Sequence, residues 1–231
     1  MRKAGREARA SGQPWRVHAA IDLPSERFSH FELTDEKGAE KLDSVPVVAG
    51  EIRIADRGYM KAHRIAAVLV AGADIIVRAG WKQVRWLAED GRPLDIIAML
   101  DAAAATGIID RPITIAGQSG AHPRLRLVAF RKPPEAIAEA RLKTRREATK
   151  EGRAVNGGTL KAAEWTILVT SLDATAFPAK AVGELYRSRW RIEMAFKRLE
   201  SILVLGGPPG AWEVHRARTR PSRKPGSWLI S

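Results

Sequence analysis

From Trp15 to Leu23 the chain alternates large apolar residues (Trp15, Val17, Ile21) with polar ones (Arg16, His18, Asp22), a period of two that predicts a strand. Phe28 to Leu33 continues in the same style. Asp35, Glu36, Lys37 and Gly38 give a turn signal ahead of a short helical segment around Ala39 to Leu42, and Gly50 sets that segment apart from the next. Glu51 to Ala55 reads as a brief strand ending at Asp56. Over Lys61 to Ala71, Lys61, His63 and Arg64 fall on one side and Ile65, Val68 and Leu69 on another, which predicts a helix closed by Gly72. Asp74 to Arg78 is the next strand, and this order of elements predicts a mixed α/β core.

The middle third has a different texture. Short β-like runs (Val84 to Leu87, Ile113 to Ile115, Leu125 to Phe130, Trp165 to Thr170) are separated by long polar pieces, the pattern of a β-rich insertion. One such piece, Pro134 to Arg153, carries many charges and little apolar periodicity beyond Ile137 and Leu142, so it reads as an exposed helix or a mobile arm. After Pro178, Val182, Leu185, Trp190, Ile192, Phe196, Leu199 and Leu203 recur at helical spacing, which predicts one long helix over Lys180 to Leu205. From Gly206 the aliphatic residues thin out into a basic stretch, read as a disordered tail.

Charge sharpens this picture. The 231 residues include 39 Lys and Arg against 26 Asp and Glu, a formal charge of +13, and a pI near 10.6 points to a polyanionic partner, of which nucleic acid is the usual case. With 45% hydrophobic residues and seven Trp the chain has the material for a packed core. The absence of Cys excludes disulfides and thiolate zinc sites, leaving carboxylates or His for any metal, a donor set suited to hard divalent ions. The longest apolar run, Ile65 to Ala73, falls far short of the ~20 residues that cross a bilayer. The basic residues at the start are followed by no apolar stretch, so neither a membrane span nor a secretory signal is expected and the address is cytoplasmic.

Two carboxylates stand out by position. Asp56 follows a strand directly and precedes Arg57-Gly58-Tyr59, where an open sheet presents strand ends to a ligand crevice. Glu193 lies on the predicted long helix, and positions 186, 189, 193, 197 and 200 follow three- and four-residue steps that share one face. That face collects a phenol (Tyr186), a guanidinium (Arg189), a carboxylate (Glu193) and an ammonium (Lys197). Metal-assisted phosphoryl transfer needs carboxylates to hold two cations ~3.5 to 4 Å apart, and cationic donors to position the phosphodiester.

The string IADRGY (Ile54 to Tyr59), followed by YRSRWRIEMAFKRLE (Tyr186 to Glu200), resembles the DDE transposases of bacterial insertion sequences, in the group with a β-strand insertion and a Tyr-x2-Arg-x3-Glu-x6-Lys signature. WRVHAAIDL (Trp15 to Leu23) also resembles a strand of that catalytic core, so the likeness covers roughly residues 10 to 205. It implies a ribonuclease H-like mixed sheet with helices, interrupted by a β-rich insertion. The implied roles are Asp56 as the second metal-binding Asp, Glu193 as the third acidic residue, and Tyr186, Arg189 and Lys197 on DNA. Mg2+ or Mn2+ is the implied cofactor, transposon ends and target DNA are the implied partners, and self-association is left open. The implied division is a first part of the core at 1–80 without its first strand, an insertion at 81–171, the signature helix at 172–205 and the basic tail at 206–231.

Two departures from the pattern bear on activity. The last signature position is Glu200, not Lys, which puts an anion toward DNA; Lys197 or Arg198 covers part of that loss. The family's first Asp lies on a strand upstream of the one resembling WRVHAAIDL, and the residues before Trp15 contain no Asp. Asp22 is the nearest substitute, though out of position. The expectation is therefore a transposase present as a partial or inactive copy, with a noncatalytic basic DNA-binding fragment as the alternative. An RNA-binding structural protein fits the pI but leaves the Tyr-Arg-Glu spacing unexplained. Trp190 and Phe196 read as core packing and His18 as a hydrogen-bonded structural residue.

Overall fold

Along the chain the strands are β1 (Trp15–Asp22), β2 (Arg27–Asp35), β3 (Ile52–Ala55), β4 (Asp74–Arg78), β5 (Arg85–Leu87), β6 (Ile108–Ala116), β7 (Arg124–Arg131), β8 (Trp165–Thr170) and β9 (Leu229–Ile230). The helices are α1 (Ala62–Val70), α2 (Ile96–Ala102), α3 (Pro134–Lys150), α4 (Gly157–Ala163) and α5 (Ala179–Arg187), with a single 3-10 turn at Arg57–Tyr59. The computed structural model describes residues 15–35, 42–43, 45–117, 120, 122–195, 197–198 and 229–230.

The sheet is mixed. β3 and β4 run parallel, with Ala55 opposite Val77, joined by α1 as the crossover that a parallel pair requires. β8, β7, β6 and β5 then add antiparallel in that order. On the other side of β3, β9 pairs antiparallel with it and parallel with β1, whose antiparallel partner β2 forms the far edge. The strands of the segment expected as an insertion thus extend the same sheet that holds β3 and β4. Pro112 is tolerated in β6 because β5 pairs only with residues 114–116, so nothing on that side asks for its missing N–H.

The central strands are buried on both faces, which is why they read as unbroken apolar runs. On one face Ile54, Ile76, Val128 and Leu168 pack with Ala179, Val182 and Ile192 from the C-terminal helical region. On the other, Ala55, Ile75, Val77, Leu127, Ala129 and Ile167 pack with Ile65 and Val68 of α1 and Leu100 of α2. Gly72, at φ +83, ends α1 in a conformation that L side chains rarely adopt. Gly183 lets α5 lie close on the sheet, since a Cβ there would sit 3.0 Å from the Phe130 ring of β7.

Several expectations need correction. The helix expected over Lys180 to Leu205 is not continuous: α5 ends at Arg187, residues 188–189 turn, and helix resumes over residues 190–195 and 197–198. The Ser188 hydroxyl donates to the Leu185 carbonyl (2.6 Å), and the amides of Arg189, Arg191 and Ile192 bond three residues back, so the ladder tightens where the period alone predicted an unbroken helix. The longest described helix is α3, which settles Pro134 to Arg153 in favour of a helix. Trp190 is not core: it is 58% exposed, with Met194 at 36% beside it. Phe196, residues 39–41 of the expected short helix, the His18 side chain and Glu200 lie outside the described residues, as does the tail except Leu229–Ile230, which joins the sheet as β9.

Candidate functional site

β3 delivers Asp56 to the edge where its parallel neighbour β4 also ends. The β3 and β4 register places Asp56 level with Arg78. Alternation along β3 puts Ile54 on the face covered by α5 and Ala55 on the other, so the extended backbone at Asp56 turns its carboxylate back toward α5. There the Tyr186 hydroxyl donates to Asp56 Oδ1 at 3.5 Å, a long contact, and Arg78 Nη1 lies 3.9 Å from the same oxygen.

One turn beyond Tyr186, the Arg189 guanidinium lies 5.8 Å from the Tyr186 ring centre and donates to Glu193 Oε1 at 2.7 Å. A continuous run of contacts therefore leads from Asp56 through Tyr186 and Arg189 to Glu193. The 188–189 turn preserves this adjacency although it interrupts the helix. The Arg189 side chain is more enclosed than its partner, 14% exposed against 39% for Glu193. Lys197 is exposed on the next turn.

The electrostatics follow from this packing. Burial, and then the Asp56 charge, raise the Tyr186 phenol above its usual pKa of 10.0, against the opposing pull of Arg189 and Arg78. Burial works to lower the Arg189 guanidinium, but Tyr186, Asp56 and the Glu193 hydrogen bond outweigh it and the net shift is upward. Burial and the neighbouring Arg78 lower Arg57. The site thus keeps a neutral phenol and a firmly charged guanidinium between two carboxylates.

Asp56 and Glu193 carry the carboxylate oxygens that hard divalent ions take as donors. Each is already faced by an arginine, and no group of three or more His, Asp or Glu placed to hold a metal occurs among the described residues. Asp22 does not supply a third. Because β1 runs antiparallel to β3 across β9, Asp22 ends at the opposite edge of the sheet, where it accepts from the Ser25 amide (3.1 Å) and hydroxyl in the β1–β2 turn.

The structure adds Arg78, Lys132 and Arg57 to the residues that the sequence singles out around Asp56. The signal for Arg78 is that it closes a strand parallel to the one ending at Asp56. No local pattern marks Lys132, which the sheet brings in from β7.

The end of β3 thus carries an aspartate that faces a helical run with the spacing Tyr-x2-Arg-x3-Glu. Residues 3–205 match the family model described as the transposase DDE domain, and the chain belongs to that family. Over 196 residues it is 37% identical to "Putative transposase InsL for insertion sequence element IS186A" of Escherichia coli (strain K12). It is equally similar, at 37% over 196 residues, to "Transposase for insertion sequence element IS421" of Escherichia coli. Each match covers 83% of this chain and 53% of the relative, so the chain spans about half the length of the curated relatives it matches. No solved structure matches the chain. No helix among the described residues is long and apolar enough to cross a membrane.

Proposed function

We propose that this chain is the part of an insertion-sequence transposase that seats a DNA strand over Asp56 and contributes Asp56 and Glu193 to phosphodiester cleavage and strand transfer by the whole protein. The supporting observation is the run of contacts Asp56, Tyr186, Arg189, Glu193, which ties a strand end to a helical segment far along the chain. In this reading the fold is a ribonuclease H-like core formed by 1–80 and 172–205, with 81–171 as its β-rich insertion and 206–231 as a basic tail. Mg2+ or Mn2+ bound through Asp56 and Glu193 supplies Lewis acidity at a phosphodiester oxygen. Arg189 orients the Glu193 carboxylate, and the one proton of the neutral Tyr186 hydroxyl goes to Asp56 or, in exchange for that long contact, to a phosphate oxygen. Lys197 adds a cation on the same side. Transposon ends, target DNA and a second copy of the chain are the partners, in the cytoplasm and on the nucleoid.

A specific observation favours a noncatalytic variant of this reading. Two cations held ~3.5 to 4 Å apart need enough carboxylate to offset their repulsion, and the described site offers two carboxylates, both paired with arginine. The chain by itself is then a salt-sensitive DNA binder that does not cleave. Supercoiled DNA carrying matching element ends, incubated with Mg2+ or Mn2+, separates the two. Cleavage that disappears in Asp56→Ala establishes catalysis by this chain, whereas binding without cleavage establishes the noncatalytic form. Absence of DNA binding overturns both.

A further inference from the structure

Asp56 has a second flank, and its side chains are basic. Alternation that puts Ile76 of β4 and Val128 of β7 on the α5 face puts Arg78 and Lys132 on that face as well. The Lys132 amide bonds to the Glu164 carbonyl, which continues the β7 and β8 pairing by one residue beyond the last strand pair, so Lys132 leaves the sheet at the edge where Asp56 and Arg78 do. Arg57 joins them from the 3-10 turn. Its backbone carbonyl accepts from Gln83 Nε2 (2.9 Å), and Gln83 Oε1 in turn accepts from the Gly80 amide (2.7 Å). Gly80 leaves room for the arginine stem, since a Cβ there would lie 3.2 Å from Arg57 Cδ. Three cations from three separate elements are thus gathered on a braced edge.

Of the three, Arg78 alone has a carboxylate within ion-pair distance among the described residues. Lys132 Nζ donates to a carbonyl, that of Ala163 (2.7 Å). Arg78 has Asp56 at 3.9 Å, and Arg57 has no carboxylate within ion-pair distance among the described residues, with Asp56 and Glu147 of α3 acting on it at longer range. Lys143 of α3 adds a fourth positive charge near Lys132. Lys132 is half-buried beside like charges: burial first, then Arg78, Arg57 and Lys143, lower its pKa. A polyanion entering the edge gains the attraction of all three groups and relieves their repulsion together.

We infer that Arg57, Arg78 and Lys132 form a seat for the backbone phosphates of a DNA strand that crosses Asp56 from the Tyr186 and Arg189 side toward α3. This rests on the proposed DNA function and adds the path of the strand: Tyr186, Arg189 and Glu193 on one side of Asp56, the three-cation seat on the other. Guanidinium forks at Arg57 and Arg78 suit bidentate phosphate contact, and Lys132 supplies a point charge beyond them.

The test is fluorescence anisotropy of a labelled mixed-sequence duplex across 50 to 200 mM salt, with the full chain. Arg57→Gln, Arg78→Gln and Lys132→Gln are compared with Arg92→Gln, an exposed arginine in the turn after β5, and thermal melting checks that each variant is folded. Each seat variant is expected to flatten the plot of log affinity against log salt by about 0.9 and to weaken binding roughly eightfold at 0.1 M, while Arg92→Gln leaves both unchanged. Should Arg78→Gln unfold, Lys132→Gln, with its charge at the edge, carries the comparison. Parent binding with a steep slope, and seat variants matching Arg92→Gln, overturn the seat and leave the DNA reading standing. Failure of the parent chain to bind overturns the DNA reading itself.

Discussion

The Tyr186 hydroxyl reaches Asp56 Oδ1 across 130 residues of sequence, and the 3.5 Å contact joins the α5 side of the sheet to the end of β3. Because burial comes first and the Asp56 charge second in raising the phenol, two substitutions move its ionisation in opposite directions. Asp56→Asn is expected to lower the Tyr186 pKa toward 10.0, and Arg189→Gln to raise it further. Ultraviolet titration in metal-free buffer, taken as a difference against Tyr186→Phe, reads both. The sign for stability is fixed as well. Between 10.0 and the raised folded value the folded chain keeps a proton that the unfolded chain has lost, so the contribution is complete below pH 10.0 and is lost as pH rises through the folded value. A Tyr186 that titrates alike in the parent and in Asp56→Asn would show that the contact does not exist in solution.

Arg53 is fully buried and spends its guanidinium on the loop before β3, donating to the carbonyls of Leu42 (2.6 Å), Val45 (3.0 Å) and Pro46 (2.6 Å) and to Glu51 (2.5 Å). Arg53→Met leaves three carbonyls without this donor and Glu51 Oε1 with the Val48 amide (3.1 Å) alone of the two. The expected loss is about 3 to 5 kcal/mol, the range for removing one partner of a buried ionic network, read as a lower midpoint in urea unfolding. A change within ±0.5 kcal/mol, ordinary for a surface site, would mean that water replaces the guanidinium.

The strands were legible where burial on both faces wrote an unbroken apolar run. Trp165 to Thr170 and Asp74 to Arg78 have the ends read from the sequence. Short helices were not. α2 and α4 begin at Asp95 and Asn156, whose side chains cap the first amides (2.9 and 3.0 Å; 2.8 Å), but seven residues give too little periodicity to outweigh polar surroundings. The 188–189 turn was illegible because it hangs on which carbonyl the Ser188 hydroxyl chooses. Trp190 was misread for a related reason: once the helix restarts, the apolar stripe rotates, and the residue next to Ile192 in the pattern no longer faces the sheet. At the site, Tyr186, Arg189 and Glu193 share one helical region and so share a readable spacing. Arg78 and Lys132 meet Asp56 only through strand order, which no local window contains.

Gly183 holds α5 at a distance that any side chain would increase. Gly183→Val is expected to cost about 1 to 3 kcal/mol, the usual range for overpacking, and to withdraw Tyr186 from Asp56. Two measurements separate these effects: thermal unfolding reports the cost, and the Tyr186 titration should shift in the direction seen with Asp56→Asn. Loss of stability with an unchanged titration would place the strain in β7 instead of in α5.

Lys132 gives a pH dependence of opposite sign to that of Tyr186. Burial first, then Arg78, Arg57 and Lys143, lower its pKa below 10.5. Between the folded value and 10.5 the unfolded chain holds a proton that the folded chain has released, so the charged ammonium destabilises the fold at neutral pH and this penalty fades as pH rises through the folded value. Lys132→Met removes the charge and retains most of the stem. It is expected to be at least as stable as the parent at pH 7 and to lose that advantage progressively toward pH 10.5, read from urea midpoints across the range. Bound DNA should reverse the ranking at pH 7, because phosphate turns the repelling cluster into an attracting one and stabilises the parent more than Lys132→Met. A parent that stays ahead of Lys132→Met without DNA at every pH would mean that the Ala163 hydrogen bond outweighs the repulsion, and the three cations would then be an ordinary part of the folded surface.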